Sequence, residues 1–140
     1  DVILRMPSWL RLRTRAPYIA LALGTIALGL AVHWRGSAFG ATLRDVLGDA
    51  LWAAMVAWWV GALAPGASLR IRTAVALALC VGVEVSQLYH TTALDALRST
   101  AAGQLVLGSG FDPRDLMAYA LGVLAAALLE RALGRCRGAP

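Results

Sequence analysis

Four apolar runs, each close to the thickness of a bilayer, limit what this chain can fold into more than any other feature. They are "PYIALALGTIALGLAVHW" from Pro17 to Trp34, "VLGDALWAAMVAWWVGALA" from Val46 to Ala64, "TAVALALCVGVEVSQLY" from Thr73 to Tyr89, and "LMAYALGVLAAALLERAL" from Leu116 to Leu133. A helix that crosses the hydrocarbon core needs about 20 residues, with a range of about 17–25. Each run reaches the low end of that range. Lipid offers no partner for a free backbone N–H or C=O, so helices are the expected form. Composition agrees: 59% of the 140 residues are hydrophobic and only 15% are charged, where a soluble domain carries about 25%. The expectation is an all-α integral membrane protein, a single transmembrane domain over 1–140. It is a bundle of four transmembrane helices at about 17–34, 46–64, 73–90 and 113–133, with a long outer loop between helices 3 and 4.

The first run follows an arginine-rich segment, as the core of a signal peptide does. It is longer than the roughly 7–15 residues of such a core and three more spans follow, so it reads as a retained helix. All 13 basic residues are Arg, and the net charge is +5. These arginines cluster at the ends of apolar runs, without the basic stripe that marks a nucleic-acid binder. Anionic lipid headgroups are the better partner for them. Arg5, Arg11, Arg13, Arg15, Arg70, Arg72, Arg131, Arg135 and Arg137 fall on one side of four spans, and Arg35, Arg44, Arg98 and Arg114 on the other. The excess of arginine marks the cytoplasmic side, so both termini are expected there, with the stretch 6–13 and its Trp9 lying on the inner surface. Cys80 lies within a run and Cys136 in the tail, so no disulfide framework is implied.

The polar residues inside the runs carry the functional question. Glu84, Gln87 and Thr91 share one face of a helix, at i, i+3 and i+7. Asp45 and Asp49 stand one turn apart at the start of the second run. Asp112, Asp115, Tyr119 and Gly122 share a face at the start of the fourth. In the four-span topology six of the eight acids crowd the outer half, leaving Asp1 and Glu130 elsewhere. A charge at membrane depth costs at least about 2.5–3.5 kcal/mol, so Glu84 and Asp49 should face inward and need partners. Arg44, Arg98, Arg114 and His90 are the cations available, and Arg98 or Arg114 is expected over Glu84 and Asp115. Plainer roles stand beside this. Asp112, next to Pro113, suits a helix cap; Arg44 and Asp45 suit a solvated pair; His33 and His90 suit the interface; Trp58 and Trp59 suit packing or lipid. The connection after His90 should hold a short surface helix, with Asp95 and Arg98 one turn apart, then a loop folded onto the outer mouth of the bundle.

"EVSQ", the later Arg98, and "DPRDLMAYALG" resemble the VanZ-like membrane proteins over about residues 84–122. "GDALWA", "SQLYH", "LDALR" and "DLMAYALG" more closely resemble a family of small uncharacterised bacterial membrane proteins, over about residues 18–130. Tyr119 departs from the Asn usual in VanZ-like helices. The resemblance implies a bacterial plasma membrane location and one site comprising Glu84, Gln87, Arg98, Asp112 and Asp115, with Asp49 and His90 added by the closer family; Asp95 and Tyr119 complete the candidate pocket. It implies no reaction. The first functional expectation is a binding module, whose outward-facing pocket takes a lipid headgroup, a glycolipid or a lipophilic small molecule. The second is an accessory subunit of a larger respiratory or photosynthetic membrane assembly, where His33 or His90 would ligate a pigment or metal. The third is an acid/base enzyme, for which no nucleophile set against a base is evident. No cofactor, metal-ligand spacing or nucleic-acid partner is assigned; membrane lipids, and other membrane subunits in the second reading, are the expected partners.

Overall fold

The computed structural model describes residues 8–35, 40–108 and 110–137. It is all helical over them, with four long helices and two short ones: α1 (Ser8–Arg35), α2 (Ala41–Leu63), α3 (Leu69–Ser86), α4 (Thr92–Arg98), α5 (Ala101–Leu107) and α6 (Pro113–Arg137). Among the described residues three helices, α1, α2 and α6, are long and apolar enough to cross a membrane. α3 has 18 residues and carries Arg70, Arg72 and Glu84. Large apolar side chains such as Leu23, Leu79, Met117, Leu121 and Leu128 are exposed around the outside, as expected of a protein whose surroundings are themselves apolar.

The four long helices begin before their apolar runs do, because hydropathy marks the part that is apolar and not the part that is hydrogen-bonded. α1 begins at Ser8 and continues through Pro17, so the stretch expected on the inner surface is continuous with α1 from Ser8 on. Its first two residues, like Asp1 and Arg5, lie outside the described residues. α2 begins five residues before the second run, and α3 four before the third. Ser68 sets the start of α3 by accepting a hydrogen bond from the Ile71 N–H at 3.4 Å, the usual service of an N-cap serine.

The third helix also ends early. It stops at Ser86, not at His90, so Thr91 does not share a helical face with Glu84 and Gln87. Thr91 instead caps α4, accepting from the Leu94 N–H at 3.2 Å. Thr100 caps α5 in the same way, from the Gly103 N–H at 3.0 Å. The connection expected to be one short helix and a loop is thus two short helices and a turn.

α2 lies at the centre, packed against α1, α3 and α6, and α3 also packs against α6. One core cluster joins α2, α3 and α6 through Ala53, Val60, Ala76, Cys80, Tyr119 and Val123. A second joins α1, α2 and α6 through Ala22, Trp58 and Ala126. Small residues dominate both, which lets helix backbones approach closely where there is no hydrophobic drive between them. Gly122 is the extreme case: a Cβ there would run into the backbone carbonyl of Ala50 on α2. Trp58 is buried in the second cluster, whereas Trp59 is exposed.

Candidate functional site

Where α3 ends and α6 begins, one carboxylate gathers three donors. Glu84 is completely buried. Its Oε1 accepts the Asp112 backbone N–H at 2.7 Å, and its Oε2 accepts the Tyr119 hydroxyl at 3.0 Å and the Gln87 side-chain amide at 3.2 Å. Asp112 stands immediately before α6, so the carboxylate also sits at the positive end of that helix. Among the described residues no arginine pairs with Glu84. The expected pairing with Arg98 or Arg114 is therefore corrected: dipoles and hydroxyls, not a cation, stabilise this charge.

Arg98 serves the backbone instead. Its guanidinium donates to the carbonyls of Tyr89 at 2.9 Å and Ser86 at 2.8 Å, with Asp95 at 3.6 Å. The last carbonyls of a helix lack partners and carry its negative end. Arg98, which is buried, lies at the end of α3 and the turn that follows it. His90 and Asp95 pair with each other at 3.2 Å on the exposed side, so neither contributes to the cavity as expected. Asp112 caps α6 through its carboxylate, which accepts the Arg114 N–H at 2.9 Å. Arg44 and Asp45 form the exposed pair expected of them, at 3.1 Å.

Beside Glu84 lies a cavity of about 350 Å³, walled by α1, α2, the end of α3, the end of α5 and the start of α6. Asp49, Gln87, Asp115 and Tyr119 line it. Asp49 on α2 and Asp115 on α6 bring two carboxyl groups to the same cavity. His33 and Arg44 also line the cavity, and Ile26, Leu30, Leu51 and Met55 give it apolar walls. Two lining residues each hold a buried polar atom without a hydrogen-bond partner among the described residues: the Gln87 carbonyl Oε1 and the Trp52 indole N–H. Buried polar atoms in that state are rare, and each calls for an explanation.

Gln87 is held on two sides. Glu84 takes its amide nitrogen, which fixes which end is oxygen. Gly108, at the end of α5 with φ +69°, lies against the same amide; a Cβ there would collide with the Gln87 nitrogen. The glycine therefore meets two needs, a left-handed backbone and a close approach.

The opposite end of the bundle holds a network that the charge pattern did not reveal. Arg72 on α3 meets Glu130 on α6 at 2.5 Å and donates to the Tyr18 hydroxyl on α1 at 2.7 Å. Tyr18 in turn donates to Glu130 at 2.8 Å, and the guanidinium lies 5.1 Å from the Tyr18 ring centre. Reading Arg72 only as a marker of membrane orientation, and Glu130 as an outlying acid, hid the pair. The helix register holds the signal. α3 and α6 run antiparallel, and Glu84 meets Tyr119. Twelve residues back along α3 and eleven on along α6 bring Arg72 opposite Glu130.

Fold and site together define a small helical membrane-type protein with an amphiphilic cavity at one end of its bundle. Residues 39–123 match the family described as "Protein of unknown function (DUF2809)". The match covers more than half of the chain, and the chain belongs to that family. No solved structure matches it. The family match carries the closer of the two resemblances seen in the sequence, and the VanZ-like one rests on its residues alone.

Proposed function

We propose that this protein is a four-span protein of the bacterial inner membrane, one domain with both termini in the cytoplasm, whose outward-facing cavity binds the polar head of an amphiphile. α3 is the fourth span in this reading. At 1.5 Å per residue its 18 residues cover about 27 Å, close to the hydrocarbon thickness. Its charges lie towards its ends, and the buried ones, Arg72 and Glu84, are met by α1 and α6. The arginine distribution sets the orientation and places the cavity on the outer side.

The observation that carries the binding role is one cavity lined by the carboxyls of Asp49 and Asp115 and by Gln87 and Trp52, each of which holds a buried polar atom without a partner among the described residues. A ligand with a polar head can meet the carboxyls, with its chain against Leu30 and Met55. The volume suits a headgroup, at the small end of the roughly 300–1,000 Å³ usual for ligand sites. The binding residues of this reading are Asp49, Gln87, Asp115, Tyr119 and Trp52, positioned by Glu84 and Asp112.

Filling the cavity tests the proposal. Gly48 lines it, and a Cβ there meets nothing within 4 Å. Gly48→Leu should therefore fold as well as the parent and lose whatever lipid or small molecule the detergent-purified protein retains in native mass spectra. Unchanged retention in a folded Gly48→Leu protein would defeat the reading.

One observation favours the accessory-subunit alternative. The membrane-length part of α1 is 6% buried, against 28% for α2 and α6, so α1 has the most surface left for a neighbouring subunit. A stoichiometric protein partner in mild detergent would put that reading first.

A further inference from the structure

Resting on the cavity reading above, we infer that the head of its ligand carries a primary ammonium group, so that the cavity takes an amine-headed amphiphile. Acceptors predominate on the walls. Asp49 and Asp115 line it with carboxyl oxygens, and Gln87, a lining residue only 4% exposed, has its carbonyl oxygen without a partner among the described residues. The orientation of this amide is not free, because Glu84 takes its nitrogen. A primary ammonium brings three N–H donors and no acceptor, the complement of such a wall.

Charge points the same way. Asp45, Asp49 and Asp115 line the cavity together, and Glu84 is hydrogen-bonded to two further lining residues, Gln87 and Tyr119. Asp45 is answered by Arg44. Glu84 is met by dipoles only, and Arg98 is engaged with α3 carbonyls and Asp95. A cation in the cavity meets an uncompensated negative field of the kind that is costly at membrane depth. A sugar head would satisfy the hydrogen bonds and leave that charge unanswered. A quaternary ammonium brings the charge without donors. Among the described residues no group of three or more His, Cys, Asp or Glu is arranged to hold a metal ion, so an organic cation suits the cavity better than a divalent metal. The Trp52 N–H, with Arg44 and His33 on the same cavity, offers donors for a phosphodiester or hydroxyl next to the amine.

The test uses the whole wild-type protein in detergent. Native mass spectrometry measures retention of phosphatidylethanolamine, phosphatidylcholine, phosphatidylglycerol and a diglucosyl diacylglycerol, all with the same acyl chains, and of dodecylamine. The amine proposal expects phosphatidylethanolamine to be held at least about tenfold over the other three lipids, the equivalent of one charge-assisted hydrogen bond. Dodecylamine held as well makes the ammonium group sufficient; dodecylamine released makes the adjoining phosphodiester part of the recognised head. Asp49→Asn and Asp115→Asn should each remove the preference for phosphatidylethanolamine over phosphatidylcholine. Equal or stronger retention of phosphatidylglycerol or the glycolipid, abolished by Gly48→Leu, overturns the ammonium assignment and keeps the cavity reading. Retention of every lipid that Gly48→Leu does not alter overturns both.

Discussion

Replacing Glu84 by Gln and by Leu separates hydrogen bonding from charge at the centre of the site. Both variants remove the buried negative charge, so the cost of burying it cancels between them. They differ in what they leave for the three donors that converge there, the Asp112 N–H, the Tyr119 hydroxyl and the Gln87 amide. The introduced amide can keep both buried donors satisfied. Its oxygen, in the place of Oε2, accepts from Tyr119 and Gln87, and its nitrogen turns towards the Asp112 N–H. Leucine leaves the donors with nothing. Asp112 is exposed, and its N–H can turn to water. Tyr119 and Gln87 are buried, and an unsatisfied buried donor costs about 1–3 kcal/mol. Glu84→Leu should therefore be less stable than Glu84→Gln by about 2–6 kcal/mol, read from unfolding titrations in mixed micelles. Glu84→Gln should fold with Gln87 oriented as in the parent. Equal stability of the two variants would refute the convergence of donors on Glu84.

Three further outcomes follow from the same geometry. Arg98→Ala should fray residues 87–91, seen as faster amide exchange there, and Arg98→Lys should recover only part of the protection, because a single ammonium does not reproduce a planar fork across two carbonyls. Glu130→Ala should cost about 3–5 kcal/mol by stranding the buried Arg72, whereas the double replacement Arg72→Met with Glu130→Leu should unfold at nearly the wild-type point; additive losses in that cycle would exclude the coupling. In a chain whose native cysteines are replaced by Ala, an impermeant thiol reagent applied to intact cells should label Ala102→Cys and spare Gly66→Cys, and the reverse pattern would invert the proposed orientation.

The four long helices were legible because lipid imposes length and apolarity on any run that enters it. The central polar residues were legible for a related reason. Asp49, Glu84, Gln87, Asp115 and Tyr119 interrupt apolar faces, and only an inward orientation relieves them. Partnership was harder to read. Counting charges matched Glu84 with arginines, but its partners are a backbone N–H, a phenol and an amide, none of which a charge pattern records. The converse error misplaced Arg98, whose partners are carbonyls at a helix end that the apolar run gave no means to locate. The orphaned Trp52 N–H had no signature at all, since an indole in an apolar run reads as packing until the atoms around its nitrogen are known.

α3 buries two of its three charges, Arg72 and Glu84, and both are met from α6 or the residue before it: Glu130 meets Arg72 at one end, and Asp112 and Tyr119 meet Glu84 at the other. In the proposed topology this has a consequence for biogenesis. A chain delivered to the membrane from its N-terminus presents α3 before α6 exists, with a guanidinium and a carboxylate that have no answer on α2. Stable insertion of α3 must then wait for the last helix to emerge, so the two enter as a pair. Chains truncated before Pro113 should leave α3 at the membrane surface, where a membrane protease can reach it.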